Sequence, residues 1–153
     1  MELHPSLPGI SLRPANASDA VKIRRMIWEM RINPTGLNWR HFVLATGAGG
    51  DVIGCGQVKP HADGSRELAS IAVLPEWRGK GVARRIIEHL LEQYSGRLYL
   101  TCRSSLGPLY QKFGFQVVQI AEMPPYFQRL SRIVTLMNKL THQPNILLVM
   151  RRN

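Results

Sequence analysis

The chain has 153 residues, of which 44% are hydrophobic and 20% charged, proportions typical of one soluble globular domain. This composition excludes an intrinsically disordered chain and a small scaffold held by disulfides. The longest aliphatic run, residues 146–150, is far shorter than the roughly 20 residues that a membrane-spanning helix needs. The N-terminal residues show neither the basic nor the apolar segment of a secretory signal, so we expect a cytoplasmic protein.

The charge balance is strongly basic, with 20 Lys and Arg residues against 10 Asp and Glu residues and a net charge of +10. Such a surface attracts anions, among them nucleic acids, membrane surfaces and phosphorylated cofactors. The aromatic residues do not alternate with the basic ones as in a nucleic-acid stacking surface, which disfavours nucleic acid. The two cysteines, Cys55 and Cys102, are isolated from each other and from histidines, so we expect two core residues and no metal site.

The first half of the chain is predicted to contain four strands and one helix. The strands are predicted at residues 10–13, 42–45, 52–58 and 67–74. The last of them is nearly continuous in apolar and small residues, as in a strand buried on both faces. The helix begins at Ser18 and Asp19 and is stopped by Pro34 and Gly36. Its apolar stripe recurs at i, i+3, i+4 and i+7, and consists of Ile23, Met26, Ile27 and Met30.

The second half contains the clearest amphipathic helix of the sequence. Its apolar stripe consists of Ala83, Ile86, Ile87, Leu90, Leu91 and Tyr94. A short helix is predicted between Pro108 and Gly114, because proline suits the first turn of a helix and glycine its end. Strands are predicted at residues 98–102, 115–120 and 146–150. This element order predicts a single α/β or α+β domain over residues 1–153, with helices on the faces of a sheet.

The stretch IAVLPEWRGKGVARRII, residues 71–87, carries the chemistry. A buried strand leads through a turn with two glycines directly into a helix. Glycines allow the backbone to approach a ligand closely, and the helix N-terminus adds the positive end of its dipole. This arrangement predicts a site for a phosphate or pyrophosphate, with positive charge beside it from Arg78, Lys80, Arg84 and Arg85.

The run AVLPEWRGKGVARRIIEHLL, with the form Arg-x-x-Gly-x-Ala at residues 78–83, resembles the acyl-CoA-binding motif of the GNAT superfamily of N-acetyltransferases. The element order from Ile10 to Met150 also fits that family. The resemblance implies a GNAT fold, with a central mixed, mostly antiparallel sheet flanked by helices, and acetyl-CoA as co-substrate. It implies that the cofactor is bound by Ile71, Ala72, Val73, Arg78, Gly79, Lys80, Gly81, Val82, Ala83 and Arg84.

A second motif, LYQKFGF at residues 109–115, resembles the late helix of the family and the strand after it. In the family a tyrosine at this place, here Tyr110, protonates the leaving thiolate, and a phenol is a competent donor when held within hydrogen-bond reach. A backbone N–H of residues 71–73 would stabilise the charge that develops on the thioester oxygen.

The acceptor amine must reach the thioester uncharged, and Glu67 is our candidate for the base that removes its proton, directly or through water. Glu122 and His61 are weaker candidates. One departure from the family concerns Arg103, which stands where many relatives have an asparagine, so that contact does not carry over.

A second departure is a helical insertion at about residues 121–145, before the last strand. Its predicted helix, residues 126–140, has a stripe formed by Phe127, Leu130, Ile133, Val134, Met137 and Leu140. Packing on the domain is the simplest interpretation of this stripe. A lid or wall at the acceptor pocket, a homodimer contact and a membrane-surface helix are the other interpretations, and we favour the acceptor wall or the dimer contact.

The sequence therefore predicts an enzyme that transfers an acetyl group from acetyl-CoA to an amine by direct attack. The acceptor is a small molecule or a protein or peptide, and the fold does not identify it. The alternative is a catalytically weak module of the same fold that binds acyl-CoA and serves regulation.

Overall fold

The structure is a computed structural model that describes residues 9–142 and 146–153. Within these residues, seven strands and four helices follow one another. They are β1 (Ser11–Pro14), α1 (Ala20–Glu29), β2 (Phe42–Thr46), β3 (Val52–Pro60), β4 (Arg66–Val73), α2 (Val82–Gln93), β5 (Leu98–Arg103), α3 (Gly107–Gln111), β6 (Gln116–Val117), α4 (Pro125–Thr141) and β7 (Leu147–Arg152). None of the helices in the described ranges is long and apolar enough to cross a membrane.

The strands form one sheet in the order β1-β2-β3-β4-β5-β7-β6. The pairs β1–β2, β2–β3, β5–β7 and β6–β7 are antiparallel, and β4–β5 is parallel. This mixed, mostly antiparallel sheet with helices confirms the predicted fold class. By their contacts the residues group into two compact units: the first extends to Lys59 and includes Leu68–Ser95, and the second consists of Pro60–Glu67 and Gly96–Asn153.

In the first unit, α1 follows a short 3-10 turn that is capped by Asn16. The Asn16 side chain accepts the Ser18 N–H, and the Asp19 carboxylate accepts the Asn16 N–H at 2.8 Å. Asp19 also binds both terminal nitrogens of Arg13, at 2.8 and 3.0 Å. The predicted helix start is therefore confirmed. The predicted end is wrong, because α1 stops at Glu29 and Arg31 adopts the left-handed φ of +54° before Pro34 is reached.

The core of the first unit lies between α1 and the strands β2, β3 and β4. The buried side chains of α1 are Ile23, Met26 and Ile27. On the other face of β3, Gly54 and Gly56 lie beneath α2, where an added Cβ would meet the Ile86 side chain at 3.1 and 2.6 Å. Glycine in this strand therefore allows α2 to pack closely on the sheet.

In the second unit, the predicted strand at residues 115–120 is wrong in extent, since β6 covers only Gln116–Val117. Phe115 and Val118 both turn into the core, and the Val118 N–H donates to the Val149 carbonyl at 2.9 Å. The chain then forms a 3-10 turn at Ile120–Glu122. The apolar residues that suggest a longer strand are thus two buried side chains, Phe115 and Val118, which flank the two-residue strand β6.

The inserted helix, α4, is present as predicted, but only the beginning of its stripe is covered. Phe127 is completely buried against Tyr99, Val118, Met123 and Val149. Further along, Ile133, Met137 and Leu140 are 55%, 56% and 73% exposed. Within its own unit, α4 is therefore anchored by the buried Phe127, while Leu130 and Val134 of the stripe are only half-buried.

Candidate functional site

The turn after β4 has the geometry of an anion site. Past Val73 the chain forms a 3-10 turn at Pro75–Trp77, and Gly79 and Gly81 then take the left-handed φ of +75° and +81°. Gly81 is the N-cap of α2, where no side chain caps the helix and no acidic residue lies in the first turn. The first N–H groups of α2 therefore stay available to a ligand, and no carboxylate from the first turn of α2 opposes an anion there.

The basic residues of this turn have different roles. The Arg78 guanidinium donates from Nε to the Val73 carbonyl at 3.3 Å, which ties it to the end of β4. The Lys80 ammonium lies 5.0 Å from the centre of the Trp77 ring. Arg84 pairs with Glu88 one helical turn on. Arg85 donates to the Ile10 carbonyl at 2.9 Å, so its charge is engaged beside β1.

The backbone of β4 directs alternate N–H groups to its two edges. The Leu74 N–H donates to the Ile53 carbonyl of β3 at 2.9 Å, so the Ala72 N–H, two residues earlier, points toward the same edge. Because successive N–H groups of a strand point to opposite edges, those of Ile71 and Val73 point away from β3. These two amides, rather than that of Ala72, are oriented to pair with an extended ligand.

Ser70, just before these amides, is held in an unusual conformation. Its φ is +59°, which costs a residue other than glycine about 1–3 kcal/mol. It is buried, and its hydroxyl accepts a hydrogen bond from Gln57 Nε2 at 2.8 Å. Nothing in the sequence indicates this conformation, because serine carries no signal for the left-handed region.

The cysteines are core residues, as predicted. Both are free and buried. Burial raises the pKa of the Cys55 thiol to about 12, so it stays protonated and is a poor nucleophile at neutral pH. Burial also raises the pKa of the Cys102 thiol. No group of three or more His, Cys, Asp or Glu side chains in residues 9–142 and 146–153 is arranged to hold a metal ion.

Tyr110 lies on α3 of the second unit, half-buried, with its ring edge-on to Phe115 at 6.3 Å. Burial raises the pKa of the phenol, and the neighbouring Cys102 raises it further. The side chain is therefore protonated at neutral pH and has a proton to give. The turn that follows α3 ends at Gly114, whose φ of +88° leads the chain into β6.

Glu67 and His61 form a buried pair in the second unit. The His61 Nε2 and Glu67 Oε1 atoms are 3.0 Å apart, and the two side chains are only 9% and 5% exposed. Glu67 lies opposite Tyr99 of β5. Two of the three residues that the sequence offers as the base, Glu67 and His61, are thus in contact in the structure.

Aromatic residues of α4 enclose the pair. The Tyr126 ring stacks on the His61 ring with centroids 3.6 Å apart, and Phe127 meets it edge-on at 5.6 Å. Burial raises the pKa of the Tyr126 phenol, and the Glu67 carboxylate raises it further. The apolar stripe of α4 predicts a buried Phe127, but no pattern in the sequence indicates Tyr126, which is distant from His61 along the chain.

Asp63 connects the loop of this pair to the start of α4. Its carboxylate accepts hydrogen bonds from the Ser65 N–H at 2.8 Å and the Tyr126 N–H at 3.0 Å. Burial raises the pKa of Asp63, but the bonds from Ser65 and Tyr126 outweigh it and leave the pKa lowered. Glu122 and Arg103, by contrast, are exposed residues that are not part of this cluster.

Comparison with known proteins supports the resemblance. A sequence model described as Acetyltransferase (GNAT) domain matches residues 38–117, which is more than half of the chain. A search of curated proteins found no match. The matched range includes the glycine turn, Glu67 and Tyr110 but not α4 or β7.

Solved structures share the fold at low sequence identity. An N-acetylglutamate synthase from Neisseria gonorrhoeae, complexed with coenzyme A and N-acetyl-glutamate, is 19% identical with a TM-score of 0.74 over 96% of this chain. The chain spans only 35% of that protein.

Two shorter proteins match along nearly their whole length. The Mycobacterium tuberculosis protein Rv2747, complexed with coenzyme A and NLQ, is 21% identical with a TM-score of 0.68, covering 93% of this chain and 98% of its own. A GNAT-family acetyltransferase from Staphylococcus aureus Mu50 is 14% identical with a TM-score of 0.70, covering 94% and 98%. The domain match and the shared architecture lead to one conclusion: the chain belongs to the GNAT family of acetyltransferases.

Proposed function

We propose that this protein is an N-acetyltransferase that uses acetyl-CoA and acts on an amine in the cytoplasm. The observation that carries the proposal is the glycine turn at the N-terminus of α2, where backbone N–H groups, a helix dipole and basic side chains favour a pyrophosphate. The complexes of two structural relatives with coenzyme A support the same ligand.

In this proposal the pyrophosphate of acetyl-CoA binds the turn, and the extended pantetheine pairs with the backbone of β4 at residues 71–73. The N–H groups of Ile71 and Val73 have the orientation that such pairing requires. The cofactor residues that we propose are the ten that the family motif implies, with Ala72 contributing packing because its N–H points toward β3.

The reaction needs two proton movements. The amine nitrogen attacks the thioester carbonyl, the C–N bond forms, and the C–S bond breaks to release the coenzyme A thiolate. Glu67 takes the proton that the amine loses, and Tyr110 gives its phenolic proton to the thiolate. Exchange with solvent restores both groups. The raised pKa of Tyr110 keeps the phenol protonated at neutral pH, so it has a proton to give.

The acceptor is an amine. Amino acids are the first class to test, because a structural relative is complexed with N-acetyl-glutamate. The contact of α4 with His61 favours the acceptor wall among the interpretations of the insertion. The exposed stripe beyond Phe127 leaves a homodimer contact as a further proposal.

An acceptor screen tests the function. The purified chain is incubated with acetyl-CoA and, separately, amino acids, polyamines, lysine peptides and peptides with free N-termini, while released thiol and acetylated product are measured. We expect at least one class to be acetylated. Tight binding of acetyl-CoA without turnover on any class would instead identify the regulatory module.

A further inference from the structure

The proposed reaction uses Glu67 but gives no role to His61, the histidine paired with it. We propose that His61 is a positioning residue that holds the Glu67 carboxylate in one orientation toward the acceptor amine, and that α4 holds His61 in turn. This inference rests on the proposed function, because Glu67 is the base there.

The hydrogen bond determines what each atom of the pair is free to do. The proposed base must be ionised to take a proton, and an ionised carboxylate only accepts hydrogen bonds. In that state the His61 Nε2 carries the proton that it shares with Glu67 Oε1 at 3.0 Å. That bond occupies one carboxylate oxygen and leaves Oε2 for the acceptor. Since its Nε2 is engaged, His61 acts through Glu67 and does not itself take the proton of the amine.

The ring of His61 is kept in this position by its surroundings. Tyr126 stacks on it at an interplanar angle of 19°, and Phe127 stands at 84° against it. Because both aromatic residues begin α4, rotating the imidazole would require displacing the first turn of that helix. The Asp63 carboxylate ties the same turn to the loop by accepting the Tyr126 N–H.

The packing gives the insertion a function in the site. A buried carboxylate with a single fixed partner loses little side-chain entropy when the acceptor arrives, which is the benefit of a base that is already oriented. A loop histidine alone would not be fixed in this way. The described contacts therefore make the first turn of α4 part of the machinery that orients the base.

Two substitutions of His61 separate the hydrogen bond from the stacking. His61→Phe keeps an aromatic ring against Tyr126 but removes the donor, while His61→Gln keeps an N–H donor at a similar reach. A hydrogen bond to a charged group contributes enough that we expect His61→Phe to lower kcat by about 10- to 100-fold, with the KM for acetyl-CoA unchanged. His61→Gln should recover most of that loss. His89→Phe, the same exchange on α2, is the control and should leave kcat unchanged.

A double-mutant cycle distinguishes positioning from a general structural role. In a Glu67→Gln background, adding His61→Phe should change kcat by less than about twofold, because the group that His61 orients is already gone. A merely structural role would lower kcat by the same factor in both backgrounds. Circular dichroism and the affinity for acetyl-CoA establish that each variant is folded.

Three results would overturn the inference. They are a folded His61→Phe protein with wild-type kcat, full additivity with Glu67→Gln, and a folded His61→Gln protein as slow as His61→Phe. Any of these in an active enzyme refutes the role of His61 and leaves the proposed function standing. A wild-type chain that acetylates no amine overturns both.

Discussion

Replacing Gly79 by alanine tests whether the turn before α2 is built for a ligand. Gly79 has a φ of +75°, and an added Cβ would meet no protein atom within 4 Å. Packing within the protein therefore does not require glycine here. An alanine in the left-handed region costs about 1–2 kcal/mol, so we expect a modest loss of stability from the backbone alone.

Gly50 is a matched control, because it has a φ of +84° and equally open surroundings in the turn between β2 and β3. Gly50→Ala and Gly79→Ala should lower the free energy of unfolding by similar amounts. Only Gly79→Ala should weaken the affinity for acetyl-CoA, by tenfold or more, or about 1.4 kcal/mol, since its methyl group would stand where the pyrophosphate approaches the backbone.

Isothermal calorimetry with acetyl-CoA and urea unfolding measure the two effects on the same proteins. An affinity for acetyl-CoA that is the same in Gly79→Ala, Gly50→Ala and the wild type would refute the proposed cofactor site. An equal loss of affinity in both variants would do the same, because the effect would then follow stability.

Tyr110→Phe should lower kcat by about 100-fold while the affinity for acetyl-CoA stays the same, since only the donated proton is lost. Steady-state kinetics and calorimetry measure the two effects. Wild-type turnover in this variant would assign the proton to another group. Asp19→Asn should destabilise the protein by about 1 kcal/mol at pH 7, because the charged pairing of the carboxylate with both terminal nitrogens of Arg13 is lost. The bond from Arg13 lowers the pKa of Asp19 in the folded state, so its contribution is present above the unfolded pKa of about 3.9 and disappears as the pH falls through the folded value. Urea unfolding of both proteins at pH 7 and at a series of lower pH values checks this, and a difference independent of pH would contradict it. Phe127→Ala should destabilise by about 3–5 kcal/mol in the same assay, because its side chain is completely buried, and a loss under about 1 kcal/mol would show that α4 is not anchored there.

Helices whose apolar residues recur with a clear helical period are predictable from the sequence. The stripe of α2 locates the helix to within a residue at either end, because its apolar side chains face one surface, and four residues of the helix are buried. The glycine turn is also predictable, since two glycines between a buried strand and a helix are typical of an anion-binding turn. The end of α1 is not, because the left-handed turn at Arg31 precedes the proline at which the sequence pattern would stop the helix.

The base site is only half predictable. Glu67 can be proposed from its place on the strand that leads into the cofactor motif, but the sequence alone does not identify the side chain that contacts it. The contact with His61 depends on the turn in which the His61 N–H donates to the Ser65 carbonyl, and the enclosure of both depends on Tyr126. Such contacts between distant segments leave no periodic signal in the sequence.

The stoichiometry of the reaction tests the central claim most directly. With an accepted amine in excess, released coenzyme A thiol and acetylated amine are quantified in the same samples over time. An N-acetyltransferase predicts one acetylated amine for each thiol released and negligible release when the amine is omitted. Thiol release that does not depend on the amine, or that yields no acetylated product, would contradict the account, since the chain would then hydrolyse the thioester and not transfer its acetyl group.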